Sequence, residues 1–423
     1  MTTEKSPVKV SFSGIAIPLD DVQENPAAFV RQLERAKINP GYAQCLCRGT
    51  TAPLRLQIRR YGSLFHLAGW PDEGPLHDRL SCSFHKDPSD GSNESGKALP
   101  GIVATAAGLR AKLDVALRQR TVGAVSKGPR QVGAPTTSRR SAPLLGFLQT
   151  LWQVAGLNRW SGVDRARNWG VCNARVLAEI SDALINGEPA EQVLHVMRRF
   201  QEADRTAINA EFDAFLARVV QRDGTNHRGL VIGEISEIGA PPYGRSITLR
   251  QSAKRYYCNT ELIALAEKRY GHAMRALGDG SARVVAILVI ERTPKGHHVV
   301  VELAAMLCSS TYITCDSIHE VAMANRLVAE GRAFDKPIRL NEGADMLPDF
   351  VLTDTAEPTH IEVYGMNGVD EYETRKREKQ RLRTSRGIQA VEWDIDRSQL
   401  ADLRFPPSPD EAPGLDFAAP PAR

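Results

Sequence analysis

Past residue 228 the sequence alternates between two periodicities, and this alternation limits the possible folds more than any other feature. The runs RGLVIGEISEI, SARVVAILVIER and HHVVVELAAML are rich in β-branched residues, which suit a pleated, packed surface. Between the first two, TELIALAEKRYGHAMRAL is helical in period. A further helix is expected over roughly 317–332, then strands at MLPDFVLTD and THIEVYGM, a charged helix from Asp370 to Arg386, and a last strand at QAVEWDI. Strands interleaved with helices mark an α/β chain. At 423 residues the chain exceeds the usual size of one domain, so a multi-domain α/β protein is expected. Its parts are a small zinc-stapled amino-terminal unit, a helical middle and a carboxyl-terminal α/β core.

Upstream, Leu144, Leu148, Leu151, Trp152 and Ala155 recur at the spacing of one helical face, and this helix should end at Gly156. LNRWSG reads as a turn, and VLAEISDALINGE repeats the helical period. Between Arg110 and Arg140 eight Lys or Arg residues stand against one acid, Asp114, the composition of a mobile basic linker with a short helix at its start. The expected units are therefore 1–95 (zinc-binding), 96–142 (basic linker), 143–225 (helical), 226–310 (α/β), 311–405 (carboxyl-terminal core) and 406–423 (disordered tail). No apolar run approaches the ~20 residues that span a bilayer, and MTTEKSPVKV lacks the apolar core of a secretory signal. A cytoplasmic protein with no membrane partner is expected. The net charge of +4 permits a phosphate-bearing partner without requiring one.

Cys45 and Cys47 form a C-x-C pair, and His77 and Cys82 follow 29 residues later as H-x₄-C. Four such ligands suit tetrahedral Zn²⁺ in a structural role. The segment around them, LRLQI and SLFHLAGW, reads as a hairpin and holds little else that could stabilise a small fold. His85 is the alternative to His77, whereas His66, in mid-strand, reads as a core or surface histidine. Cys172, Cys258, Cys308 and Cys315 lack ligand spacing and read as core thiols.

The carboxyl-terminal quarter carries the second constellation. Pro348 and Asp349 open one expected strand and Glu362 lies in the next, thirteen positions on; an antiparallel hairpin across DTAEP brings the two acids together. Paired carboxylates suit Mg²⁺ or Mn²⁺, which polarise a phosphodiester and help generate hydroxide. Glu320, on the preceding helix, is a candidate third acid. On the following helix Tyr372, Arg375, Lys376 and Lys379 share one face, so either lysine can reach back to the strand. The plain alternative is a solvated charged helix.

PDFVL and IEVYG resemble the core of the PD-(D/E)xK, or restriction-endonuclease-like, nuclease superfamily. The resemblance implies Asp349 and Glu362 as metal ligands; the position of the motif lysine is Tyr364, and the ammonium is then expected from Lys376 or Lys379. CLCRG, HDRLSC, LLGFLQTLWQVAGLNRW, FDKPIRL, LPDFVL and IEVYG together resemble an uncharacterised bacterial family common on plasmids and integrative elements, which implies mobile-element biology.

Two functions follow. One is a metal-dependent nuclease that binds and cuts nucleic acid, DNA rather than RNA. The other is a catalytically inactive nucleic-acid-binding or regulatory protein on the same scaffold. A third reading, a zinc-stapled scaffold for protein partners, predicts no affinity for polyanions. The chain has no GxxxxGK[ST] loop, no GxGxxG after a strand, no GxSxG elbow and no HExxH, so those enzyme classes lack support.

Overall fold

The three β-branched runs become neighbouring strands. Gly229–Gly239 pairs antiparallel with Ala282–Arg292, which pairs antiparallel with His298–Ser309. Arg245–Leu249 and Arg255–Cys258 complete a circuit back to His298–Ser309, and Leu194–Val196 adds a sixth strand parallel to the first. This is a computed structural model, and it describes residues 8–86, 99–120, 141–163, 167–338, 347–365 and 370–408, apart from positions 13, 100, 106, 107 and 243.

Alternate residues of the long strands enter two different cores. Val284, Ala286, Leu288 and Ile290 pack with the helices Arg205–Leu216, Thr260–Arg269 and Ile318–Ala329. Val285, Ile287 and Val289 pack against Leu144–Val154 and Trp169–Ile180. Burial of both faces explains why these strands read as continuous apolar runs rather than as an alternation of apolar and polar.

A five-stranded sheet forms the carboxyl-terminal layer, in the order Ala390–Asp394, Thr359–Tyr364, Phe350–Leu352, Phe334–Asp335, Arg159–Trp160. The helix Ile318–Ala329 precedes it. The helix Asp370–Ser385 provides the crossover between the parallel strands Thr359–Tyr364 and Ala390–Asp394. The remaining pairings are antiparallel. Phe334, Phe350, Leu352, Ile361 and Trp393 anchor this sheet to the first core.

Two expectations need correction. The start of the basic stretch is not a helix in a linker: Gly108–Ala111 and Arg118–Arg120 are strands, and Leu109, Ala111, Leu113, Val115 and Leu117 are buried between exposed Arg110, Lys112, Asp114 and Arg118. The part from 121 to 140 lies outside the described residues, as does the tail from 409. The INGE end of the expected second helix is instead a hairpin, Leu184–Ile185 with Glu188–Pro189, turned at Asn186 and Gly187, whose φ angles of 51° and 86° suit the primed turns that twist with the strands. Strand pairing also crosses the expected unit boundaries. The 143–225 stretch gives Arg159–Trp160 to the carboxyl-terminal sheet, Leu184–Ile185 to Gly108–Ala111 and Leu194–Val196 to the central sheet.

The amino-terminal unit keeps a sheet to itself, Ile15–Pro18, Lys9–Phe12, Ala43–Cys45, Leu54–Tyr61, Leu64–Gly69, and the last two strands are the expected hairpin. It docks on the body through the Tyr61 hydroxyl, which donates to the Leu194 carbonyl at 2.7 Å, and through Arg59, which donates to the Ala178 carbonyl at 2.7 Å. Among the described residues no helix is long and apolar enough to cross a membrane.

Candidate functional site

Cys45 ends the strand Ala43–Cys45, and the chain turns at Gly49 (φ 87°) so that Cys47 faces back toward it. His77 leaves the short turn Gly74–Leu76, and Asp78 Oδ1 accepts from the Ser81 backbone at 2.8 Å and the Ser81 hydroxyl at 2.7 Å, curling the loop to present Cys82. The Cys45 and Cys82 sulfurs lie 3.6 Å apart, and His77 Nδ1 lies 3.4 Å from both Cys47 Sγ and Cys82 Sγ. All four ligand atoms fall within 4.8 Å of one another. Zn–S bonds of about 2.3 Å and Zn–N bonds of about 2.0–2.1 Å give tetrahedral edges of roughly 3.4–3.8 Å, so the set could hold a structural metal such as zinc. A disulfide needs sulfurs at about 2.05 Å, which 3.6 Å is not.

The remaining histidines and thiols sort themselves. His85 Nδ1 lies 3.0 Å from the His77 carbonyl, a position that supports the loop rather than joining the cluster. His66 is fully buried, and desolvation pulls it down to about 3, so it is a neutral core residue. Cys172, Cys258, Cys308 and Cys315 are buried free thiols.

The carboxyl-terminal acids come together across the expected hairpin. The antiparallel pairing ends with Phe350 opposite Ile361, and Asp349, just before that strand, donates its N–H to the Ile361 carbonyl at 3.1 Å, which sets it beside Glu362. Asp349 Oδ2 accepts from the Val363 N–H at 2.7 Å, and Oδ1 has no hydrogen-bond partner among the described residues. Both acids line a cleft of ≈ 670 Å³, walled also by His272, Arg275, Asp316, Glu320, Tyr364, Tyr372, Arg375, Lys376 and Lys379.

The structure separates the two lysines. Lys379, buried, donates from Nζ to Glu362 Oε2 at 2.6 Å and to the Leu347 carbonyl at 2.7 Å. Lys376 turns to the next strand, where Nζ meets Asp394 Oδ2 at 3.1 Å and lies 4.1 Å from the Tyr364 ring centroid. Arg383, one helical turn beyond Lys379, donates to Glu362 Oε1 at 2.6 Å and to the Tyr364 hydroxyl at 3.1 Å, and it also contacts Glu392. Burial raises the Glu362 carboxyl above its ordinary range; Lys379 and Arg383 oppose this, and the nearby Asp349 carboxylate adds to it.

A second charged pair lies in the wall of the same cleft. Lys336 Nζ is 2.7 Å from Glu320 Oε2 and 3.3 Å from Asp316 Oδ2, and both Glu320 and Lys336 are buried. Burial pushes Glu320 up to about 7, with Lys336 pulling the other way. Burial disfavours the Lys336 ammonium, but the carboxylates of Glu320, Asp316 and Asp349 outweigh it and keep Lys336 charged. Glu320 also accepts from the Asp316 N–H at 3.0 Å, while the Ser317 hydroxyl accepts from the Glu320 N–H at 3.2 Å. That is close to a capping box, so this acid ties down a helix start as well as facing the cleft.

His272, Arg275 and Asp316 in the cleft wall, and Lys336 and Arg383 behind it, are residues that the sequence did not single out. Ser317-x-x-Glu320 is a readable capping signal, and Arg383 follows Lys379 at the i+4 spacing, but no periodicity marks Lys336. Among the described residues the cysteine–histidine cluster alone gathers three or more such ligand atoms; the carboxylates do not.

A family model described as "Protein of unknown function (DUF1173)" matches residues 16–395, a span that holds both the cluster and the cleft. Neither the curated proteins nor the solved structures yield a match.

Proposed function

The chain belongs to the DUF1173 family, and from the geometry of its carboxyl-terminal cleft we propose that it is a divalent-metal-dependent nuclease acting on DNA phosphodiester bonds. The observation that carries this is the placement of Asp349 and Glu362 on one open cleft, with Asp349 bonded to the Val363 N–H at 2.7 Å and Lys379 to Glu362 at 2.6 Å. The run helix, three strands, helix, strand around them is the setting in which a restriction-endonuclease-like core holds its acids. The resemblance to mobile-element proteins fits a role in plasmid or integrative-element biology.

Asp349 and Glu362 are the residues that would hold Mg²⁺ or Mn²⁺. Their donor set is hard oxygen, Asp349 Oδ1 is uncommitted among the described residues, and each Glu362 oxygen keeps a lone pair beyond its bond to Lys379 or Arg383. Bound there, the ion supplies Lewis acidity toward a phosphodiester oxygen and toward water. Lys379 holds its proton at Nζ and sets a positive charge where negative charge develops on the phosphate. Tyr364, at the usual lysine position, is instead engaged by Arg383 and Glu392, so the ammonium comes from the helix. The zinc unit has a structural part in this reading.

One observation favours the alternative, a nucleic-acid-binding protein without catalysis: both Glu362 oxygens already meet cations, at 2.6 Å each. Cleavage of supercoiled and single-stranded DNA with Mg²⁺ or Mn²⁺ decides between the two. Wild type is expected to cut, and Asp349→Asn and Glu362→Gln are expected to lose about 10²-fold or more, the scale on which a lost charge-stabilising group is felt. Glutamine is the right replacement at 362, because it keeps a hydrogen-bonding oxygen, whereas alanine leaves buried Lys379 with the Leu347 carbonyl alone and Arg383 with Glu392 and the Tyr364 hydroxyl. Lys379→Ala is expected to be severely impaired and Lys376→Ala mildly. Absence of wild-type cleavage with either metal replaces this reading with the non-catalytic one.

A further inference from the structure

Arg118–Arg120, Gln221–Arg222 and Thr225–His227 form a small three-stranded antiparallel sheet that shares no residue with the lining of the acidic cleft, and none of its residues is apolar. Three-stranded sheets are ordinarily stabilised by an apolar face or by packing against a helix. This one is held at its root. The Arg228 N–H donates to the carbonyl of buried Leu117 at 2.8 Å, and the His227 N–H donates to the Val220 carbonyl at 2.9 Å. Its tip is the Asp223-Gly224 turn, where φ angles of 50° and 65° fit the tight type I′ hairpin.

The register sorts its side chains. Arg222 faces Thr225, Thr225 faces Arg120, and His227 faces Arg118. Because side chains alternate along a strand, Arg118, Arg120, Arg222 and His227 share one face, with the Cα atoms of Arg120 and Arg222 roughly 10 Å apart across two strand spacings. A cleft of ≈ 260 Å³ beside them is lined also by Arg218 and Arg228. Arg118 pairs with Glu188 at 2.7 Å, and Arg228 with Glu291 at 2.9 Å. Arg218 donates to a backbone carbonyl, that of Glu191, at 2.7 Å. Arg120 and Arg222, both exposed, make no ion pair among the described residues. The carboxylate of the ribbon itself, Asp223, sits in the turn.

We propose that this ribbon is a second contact surface for nucleic acid, on which Arg120 and Arg222, with Arg218 at the cleft, hold phosphates of the backbone at a distance from the acidic cleft. A surface of guanidinium groups with no apolar anchor is suited to sequence-independent phosphate contact. A protein partner of ordinary affinity would need a desolvated aromatic or aliphatic anchor, and a lipid surface would need an apolar face to insert. The ribbon has neither. The proposal shares with the nuclease reading only the class of partner and needs no metal in the cleft.

Fluorescence anisotropy of labelled single-stranded and duplex oligonucleotides, without added divalent metal, tests it. Arg120→Ala with Arg222→Ala is expected to weaken binding about tenfold or more near 0.1 M salt and to flatten the log–log salt slope by about 2, close to one unit per lost phosphate contact. Both arginines are exposed, so the melting temperature should not move, and Arg→Lys at both positions should restore most of the slope. An unchanged slope in the double alanine variant overturns the proposal, as does wild-type protein that binds phosphatidylserine vesicles but no oligonucleotide. If the double variant loses binding while wild type never cuts, the ribbon stands and the nuclease reading falls. If it binds normally and cutting persists, the reverse holds.

Discussion

At one end of the molecule, Cys45, Cys47, His77 and Cys82 turn their ligand atoms toward one another within 4.8 Å, with Cys45, Cys82 and His77 buried. At the other, Asp349 and Glu362 lie side by side with Lys379 nearby and open onto a cleft of ≈ 670 Å³. The first set is soft and closed, as structural sites are; the second offers hard oxygens beside an accessible cleft. The charge of Glu362 at the second site is partly balanced by Lys379 and Arg383. Within the first, burial pushes the Cys82 thiol up and the Cys47 contact raises Cys45 to about 12, while the contacts with Cys45 and Cys82 pull Cys47 down, so the three sulfurs do not ionise alike without a cation.

The largest effect expected from this contrast is on the closed site. Purified protein should carry about one equivalent of Zn²⁺, and Cys45→Ser with Cys47→Ser should lose it along with the fold of residues 8–86, since structural zinc contributes apparent binding energies of about 10 kcal/mol or more. Elemental analysis and limited proteolysis read both outcomes, with cleavage confined to the amino-terminal unit while the central sheet stays protected. Zinc content unchanged in the double variant would break the comparison at its first term.

A smaller, pH-dependent effect is expected in the wall of the open site. Glu320, held at about 7 in the fold against 4.5, contributes stability that is fully present below 4.5 and lost as pH rises through about 7. Lys336→Met removes the cation that restrains this rise. The variant should therefore be little destabilised at pH 5, where Glu320 is protonated in both proteins, and destabilised by roughly 1 kcal/mol more at pH 8, where wild type has released the proton that the variant still holds. Urea unfolding at the two pH values measures this; equal losses at both would show that the Lys336–Glu320 contact of 2.7 Å is not where the charge is balanced.

Different parts of this architecture were legible to different degrees. The zinc cluster could be read because cysteine and histidine carry their chemistry in their identity, so spacing alone nominated the four ligands. The acids could be read because two alternating strands across a short turn leave a single register that buries Phe350, Leu352 and Ile361. The segment LRAKLDVAL was misread because its charges drew attention away from a strict alternation, Leu109, Ala111, Leu113, Val115, Leu117, whose apolar members all turn inward. Deleting 110–140 to test nucleic-acid binding would accordingly remove core strands, and point substitutions on the ribbon are the sound experiment. Asn186-Gly187 and Asp223-Gly224 were hairpin signals present in the sequence and passed over. Lys336 was not legible at all. It lies just after a two-residue strand, and only the packing of a distant helix, bringing Glu320 to 2.7 Å, gives it a role.

Manganese titration of the zinc-loaded protein, followed by electron paramagnetic resonance, tests most directly the proposed metal site at Asp349 and Glu362 beside the one that the cysteine–histidine cluster could hold. Wild type is expected to bind Mn²⁺ while keeping its zinc, Asp349→Asn and Glu362→Gln to keep zinc but lose Mn²⁺, and Mg²⁺ to displace the manganese. Mn²⁺ binding that survives in both carboxylate variants, or wild type that binds none, would contradict the account.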